Sequence, residues 1–179
     1  PVTPVPLVVA VTGHRDLLAS ELPGIRERVR AFMTDLERRY PDLPVVVMSG
    51  LAAGADSLVA EEALTLGLKV IAALPMPRHL YAEDFAAGAE REHFLALCAR
   101  ASEFIELPFT PGNTAGLSRE PGYNRDRQYA QLGVFLRVEG DGAGAVAADG
   151  GEQGEVVVWG GVEESPEGLA RLSTLRQVA

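Results

Sequence analysis

Three stretches of the sequence carry residue types suited to holding a phosphate or a nucleoside. The first is Thr12-Gly13-His14-Arg15-Asp16. Gly13 permits close backbone approach, and Arg15 presents a planar fork of donors that pairs bidentately with phosphate or carboxylate. A turn with a surface arginine accounts for the same residues equally well. His14 reads first as an ordinary hydrogen-bonded loop histidine, with a ligand contact as the alternative. The second stretch is Ser49-Gly50-Leu51-Ala52-Ala53-Gly54-Ala55-Asp56-Ser57. Its glycines and small residues, Ala53 among them, lead straight into a helical pattern, which aims backbone amides from the positive end of a helix dipole and binds an anion without basic side chains. On that reading Gly54→Asp removes ligand binding and leaves the fold largely intact. The competing account is a loop kept small for helix–sheet packing, with Asp56 as an N-cap. The phosphate reading is favoured over it. Neither G-x-G-x-x-G nor a GK[ST] loop occurs here, which excludes ordinary dinucleotide-binding dehydrogenases and P-loop NTPases.

The third stretch runs from Pro75 to Phe85 and adds Arg78, His79, Tyr81, Glu83 and Asp84. Pro75 and Tyr81 join the candidate ligand contacts, Tyr81 as a ring to stack on a base. Glu83 or Asp84 can bond ribose hydroxyls or serve as the acid for N-glycosidic cleavage. For Asp84 the cap of a helix comes first, and for Phe85 a place in the core. Farther along, Arg125 and Gln128 are three apart and share a helix face, so they hold one ligand together or form a solvated face. Gly160-Gly161 is a plain turn or a ligand contact. Three scattered histidines and the lone Cys98 do not make a metal site, and no metal is expected.

The elements that must position these residues alternate from the start. Leu7–Val11, Val45–Met48, Val70–Leu74, Phe104–Leu107 and Val156–Trp159 are short apolar runs of the kind buried in parallel sheets. Between them Leu22, Ile25, Val29, Phe32, Met33, Leu36 and Tyr40 recur at steps of three and four, as an amphipathic helix requires. Further helices are predicted from Asp56 to Gly67, through Phe85, Ala89, Phe94, Leu97 and Ala101, over residues 125–139, and after Ser165-Pro166. Residues 108–124 form a long loop, and the Gly/Ala-rich residues 140–154 are expected to be a mobile one. The prediction is one α/β domain over residues 1–179, an open, mainly parallel sheet of about five strands with helices on both faces. In such sheets ligands bind beyond the carboxyl ends of the strands, where the three stretches fall.

Composition narrows the function. Among 179 residues, 16 Lys+Arg stand against 25 Asp+Glu, a net charge of −9, which argues against a nucleic-acid partner. With 47% hydrophobic and 23% charged residues the chain can bury a core. No apolar run approaches a membrane span, so no membrane is involved and a cytoplasmic location is expected.

The three stretches together, Val11-Thr12-Gly13-His14-Arg15, Ser49-Gly50-Leu51-Ala52-x-Gly54-Ala55-Asp56, and Leu74-Pro75-Met76-Pro77 with Tyr81 and Asp84-Phe85, resemble the SLOG superfamily. That group unites the DNA-processing protein A (Smf) Rossmann-like domain with the LONELY GUY, or "lysine decarboxylase-like", proteins. The resemblance covers roughly residues 7–139, and its second motif is most like the DNA-processing branch. It implies a Rossmann-like fold whose strand ends bind a nucleotide or nucleotide-derived ligand, as carrier or sensor, and relatives that often form homo-oligomers. LONELY GUY-like hydrolysis of a nucleoside 5′-monophosphate is the alternative, with Glu83, Asp84 and Glu163 as candidate carboxylates. Trp159-Gly160-Gly161-Val162-Glu163 lacks the Gly-Thr that follows the glycines in that branch. Single-stranded DNA binding is a second alternative, set against the acidic balance. No cofactor is implied beyond the nucleotide ligand.

Overall fold

A computed structural model describes residues 5–110, 123–139, 145–149 and 155–161. The chain is α/β with a Rossmann-like open sheet. Four strands, β1 (Leu7–Gly13), β2 (Val45–Ser49), β3 (Lys69–Leu74) and β4 (Glu103–Glu106), pair in parallel. Helices α1 (Leu22–Arg39), α2 (Ala55–Thr65) and α4 (Ala89–Arg100) alternate with them, and α5 (Tyr123–Glu139) follows β4.

Side-chain alternation along the strands divides the core in two. Leu7, Val9, Val11, Val47, Val70, Ala72 and Leu74 point to one face, where Ile25, Val29 and Met33 of α1, Leu58 and Val59 of α2, and Phe94 and Leu97 of α4 bury them. Ala10, Met48 and Ala73 point to the other, under Leu132 and Leu136 of α5. Glu62 of α2, 3% exposed, is clamped by Arg26 and Arg30 of α1, each 2.8 Å from its carboxylate.

The structure departs from the prediction in several places. The sheet has six strands, in the order β4-β3-β2-β1-β6-β5. The extra strand, β5 (Ala145–Asp149), lies inside the stretch expected to be a loop, and pairs antiparallel with β6 (Glu155–Gly161). β6 in turn runs antiparallel to β1. A short connection joins antiparallel neighbours, whereas a parallel return needs a crossover of a dozen residues or more.

The helix expected through Phe85 begins later. One turn, α3 (Arg78–Tyr81), and a 3₁₀ turn (Ala82–Asp84) come first, Phe85 is extended, and α4 starts after Gly88 at φ +93°. Asp84 therefore does not cap α4. Nor does Asp56 cap α2. Gly54, at φ +90°, occupies the cap position without a side-chain cap, and Asp56 lies inside the first turn. The helix predicted after Ser165 lies outside the described residues.

Candidate functional site

The carboxyl ends of β1, β2 and β3 open onto two loops that touch. The Ala55 amide donates to the His14 carbonyl at 3.0 Å. A Cβ on Gly54 would sit 2.4 Å from the His14 carbonyl oxygen and 2.3 Å from that of Arg15. Only glycine lets these backbones meet. Gly54→Asp thus disturbs the contact between the loops themselves, contrary to the expectation of an intact fold.

Behind this contact Ser49, fully buried, donates its hydroxyl to the Asp56 carbonyl at 3.0 Å and accepts the Leu51 amide at 3.1 Å. Leu51 takes φ +54°, a conformation that L-residues hold only when their surroundings impose it. A Cβ on Gly50 would lie 3.0 Å from the Asp56 carboxylate and 3.0 Å from Leu132, so Gly50 lets α5 close over the loop.

Several amides of this loop and of the start of α2 have partners within the chain. Leu51 donates to Ser49, Ala55 to His14, Ser57 to the Ala52 carbonyl, and Ala52 to the Asp56 carboxyl group. The acidic group beside this loop is therefore the chain's own. Asp56 is 8% exposed. Burial pushes its carboxyl up to about 7, against the opposing pull of the Ala52 amide and the Arg15 charge.

Asp56 lines a cavity of about 310 Å³ between β1, α2, α3 and α5. Thr12, Gly13, Arg15 and Ala52 line it with Asp56, as do Tyr81, Tyr129, Leu132, Gly133 and Leu136. A wider groove of about 680 Å³ adjoins it, bordered by Arg15, Asp16, Ala53, Glu83, Asp84, Glu90 and Arg91, among others. Arg15 borders both. Its side chain is half exposed, 3.9 Å from Glu90 and 5.9 Å above the Phe85 ring.

The remaining candidates divide sharply. Tyr81 reaches the cavity, yet is 2% exposed and is enclosed edge-on by Phe85, Phe94 and Tyr129. It belongs to the aromatic core and lines the cavity with the little surface that is left exposed. Arg125 and Gln128 do share a face, but it is turned inward. Arg125 pairs with Asp84 at 2.9 Å and donates to the Leu80 carbonyl at 3.0 Å. Gln128, fully buried, donates to the Pro75 carbonyl at 2.7 Å and the Pro108 carbonyl at 3.1 Å, and accepts the Thr110 amide at 2.7 Å. The two residues fasten α5 to the loops after β3 and β4. The Tyr129 hydroxyl donates to Asp84, so that carboxylate is engaged from two sides. Glu83 stands exposed on the groove wall.

Gly160 and Gly161 do not join the site. They pair with Val9 and Val8, whereas Val157 and Val156 lie beside Thr12 and Gly13. An antiparallel β6 carries its own end toward the amino end of β1, which puts Gly160 about 13 Å and Gly161 about 17 Å from the carboxyl end of β1 at ~3.3 Å per residue. Glu163 lies outside the described residues.

Sequence reasoning quoted Thr12 only as part of its stretch and gave no site role to Leu132 and Leu136. The last two, with Tyr129, form the apolar stripe of α5, and a stripe that packs on a sheet also walls the cavity beside it.

No protein-family model matches the sequence, and neither does any curated protein. Among the described residues no group of three or more His, Cys, Asp or Glu is arranged to hold a metal ion. None of the described helices is long and apolar enough to cross a membrane.

Proposed function

We propose that this chain binds a nucleotide or nucleotide-derived ligand at the carboxyl ends of its strands, as a carrier or sensor. The observation that carries the reading is the pairing of a partly open, mainly apolar cavity with a wider polar groove, Arg15 bordering both. The cavity is of a size that small-molecule sites adopt, about 300–1,000 Å³. A base fits its apolar wall and the sugar-phosphate lies along the groove, where the Arg15 guanidinium pairs with phosphate. The groove sets Arg15 and Arg91 against Asp16, Glu83, Asp84 and Glu90, a balance that suits a small ligand better than a DNA strand.

Thermal denaturation with nucleoside mono-, di- and triphosphates, NAD derivatives and short single-stranded DNA tests this. A bound nucleotide at about 100 times its Kd adds about 2.7 kcal/mol, a rise of roughly 5–10 °C in Tm for a chain of this size. Arg15→Ala is expected to weaken binding by about 1.5–3 kcal/mol. No shift with any nucleotide overturns the reading. Hydrolysis of the N-glycosidic bond is the second reading, favoured by the exposed carboxylate of Glu83 on the groove wall. Release of free base from a bound nucleoside monophosphate, lost in Glu83→Gln, separates turnover from carriage.

A further inference from the structure

Among the residues lining the cavity, Asp56 is the sole carboxyl group, and it is more than nine-tenths buried. A carboxyl group offers about four acceptor sites. Among the described residues, the Ala52 amide is the one hydrogen-bond donor that the Asp56 carboxyl group meets. Tyr81, Tyr129 and Leu132 line the same cavity.

The charged and titratable groups around Asp56 are few. Arg15 acts from the loop after β1, Tyr81 from α3 and Tyr129 from α5, with Asp84 beyond Tyr129. Arg15 is half exposed to solvent and shared with Glu90, a weak counter-charge. The Ala52 amide fixes one carboxyl oxygen as acceptor, and the Asp56 side chain lines the cavity.

We propose, resting on the nucleotide-binding reading above, that Asp56 meets the ligand as a neutral carboxylic acid and donates its proton to an acceptor ring nitrogen of the base, as adenine and cytosine present beside an exocyclic amine. The amine donates to the oxygen that already accepts from Ala52, through its second lone pair. Guanine and uracil carry an N–H at the corresponding ring position. Binding then takes up a proton wherever the free protein has lost it. Because burial holds the empty site near 7, affinity falls as pH rises through neutrality.

Calorimetric titration with AMP, CMP, GMP, UMP and ribose 5-phosphate, at pH 6 and pH 8 in buffers of different ionisation enthalpy, tests this. AMP or CMP is expected to bind most tightly, with an affinity about tenfold lower at pH 8 and with proton uptake there. Asp56→Asn keeps a neutral donor of the same shape, so its affinity for the same nucleotide is expected to stay level between the two pH values. Nucleotide binding that is level with pH in the wild type, proton release, tighter binding of GMP or UMP, or an unchanged pH dependence in Asp56→Asn each overturns the inference and leaves the nucleotide site standing. Binding of none of the probes at either pH removes the nucleotide reading, and this inference with it.

Discussion

Asp56 and Gly54 stand two positions apart and show how little a residue type says before its neighbours are known. Asp56 looks like a helix cap because caps are short acidic or hydroxyl residues at loop–helix junctions. The cap position falls to Gly54 instead, because only a residue without a Cβ can sit at φ +90° against two carbonyl oxygens. Gly54→Ala must push the loop after β1 outward, at an expected cost of about 2–3 kcal/mol from left-handed strain and overpacking. The shift in urea midpoint measures it. A loss below roughly 0.5 kcal/mol, the level of an ordinary surface change, would mean that the two loops are not held together.

At the scale of elements, polar side chains do the fastening. Gln128 and Arg125 tie α5 to loops, and Glu62 ties α2 to α1. Burial pushes the Glu62 carboxyl up, but hydrogen bonds and charge from Arg26 and Arg30 outweigh it and hold the group below its usual range. The folded protein therefore binds this proton less tightly than the unfolded chain. The stabilisation is complete above the unfolded value of about 4.3 and is lost as pH falls through the lower folded one. Glu62→Gln is expected to cost about 1–2 kcal/mol at pH 7, discounted because both arginines are partly exposed. In denaturant titrations the gap between wild type and variant should close as the pH is lowered past 4. A gap that persists there would assign the effect to packing. Arg125 and Gln128 were legible as a pair on one helix face, but spacing cannot tell an inward face from an outward one.

For the whole molecule, charge makes a sharper statement than fold. A surface of net −9 repels polyanions, so nucleotide binding should rest on a few local contacts. Raising salt from 50 to 200 mM is expected to weaken it by less than about tenfold, whereas a protein with 6–10 phosphate contacts loses ~10³–10⁵. A steep salt dependence would return single-stranded DNA to first place. The parallel half of the sheet, its helices and the loops at its carboxyl edge were readable because each rests on local rules: apolar runs that suit strands buried on both faces, three-and-four spacing for helices, glycine at the junctions. Pairing partners follow no such rule. That β6 turns back against β1, and so carries Gly160 and Gly161 away from the site, depends on which strand edge is open when it arrives. Sequence alone determined which segments form the parallel strands and which loops lie at their carboxyl ends. Tertiary packing decided which of those side chains face a cavity, because whether Asp56, Arg125 or Tyr81 meets solvent, a ligand or another residue is set by what α5 and the aromatic cluster press against them.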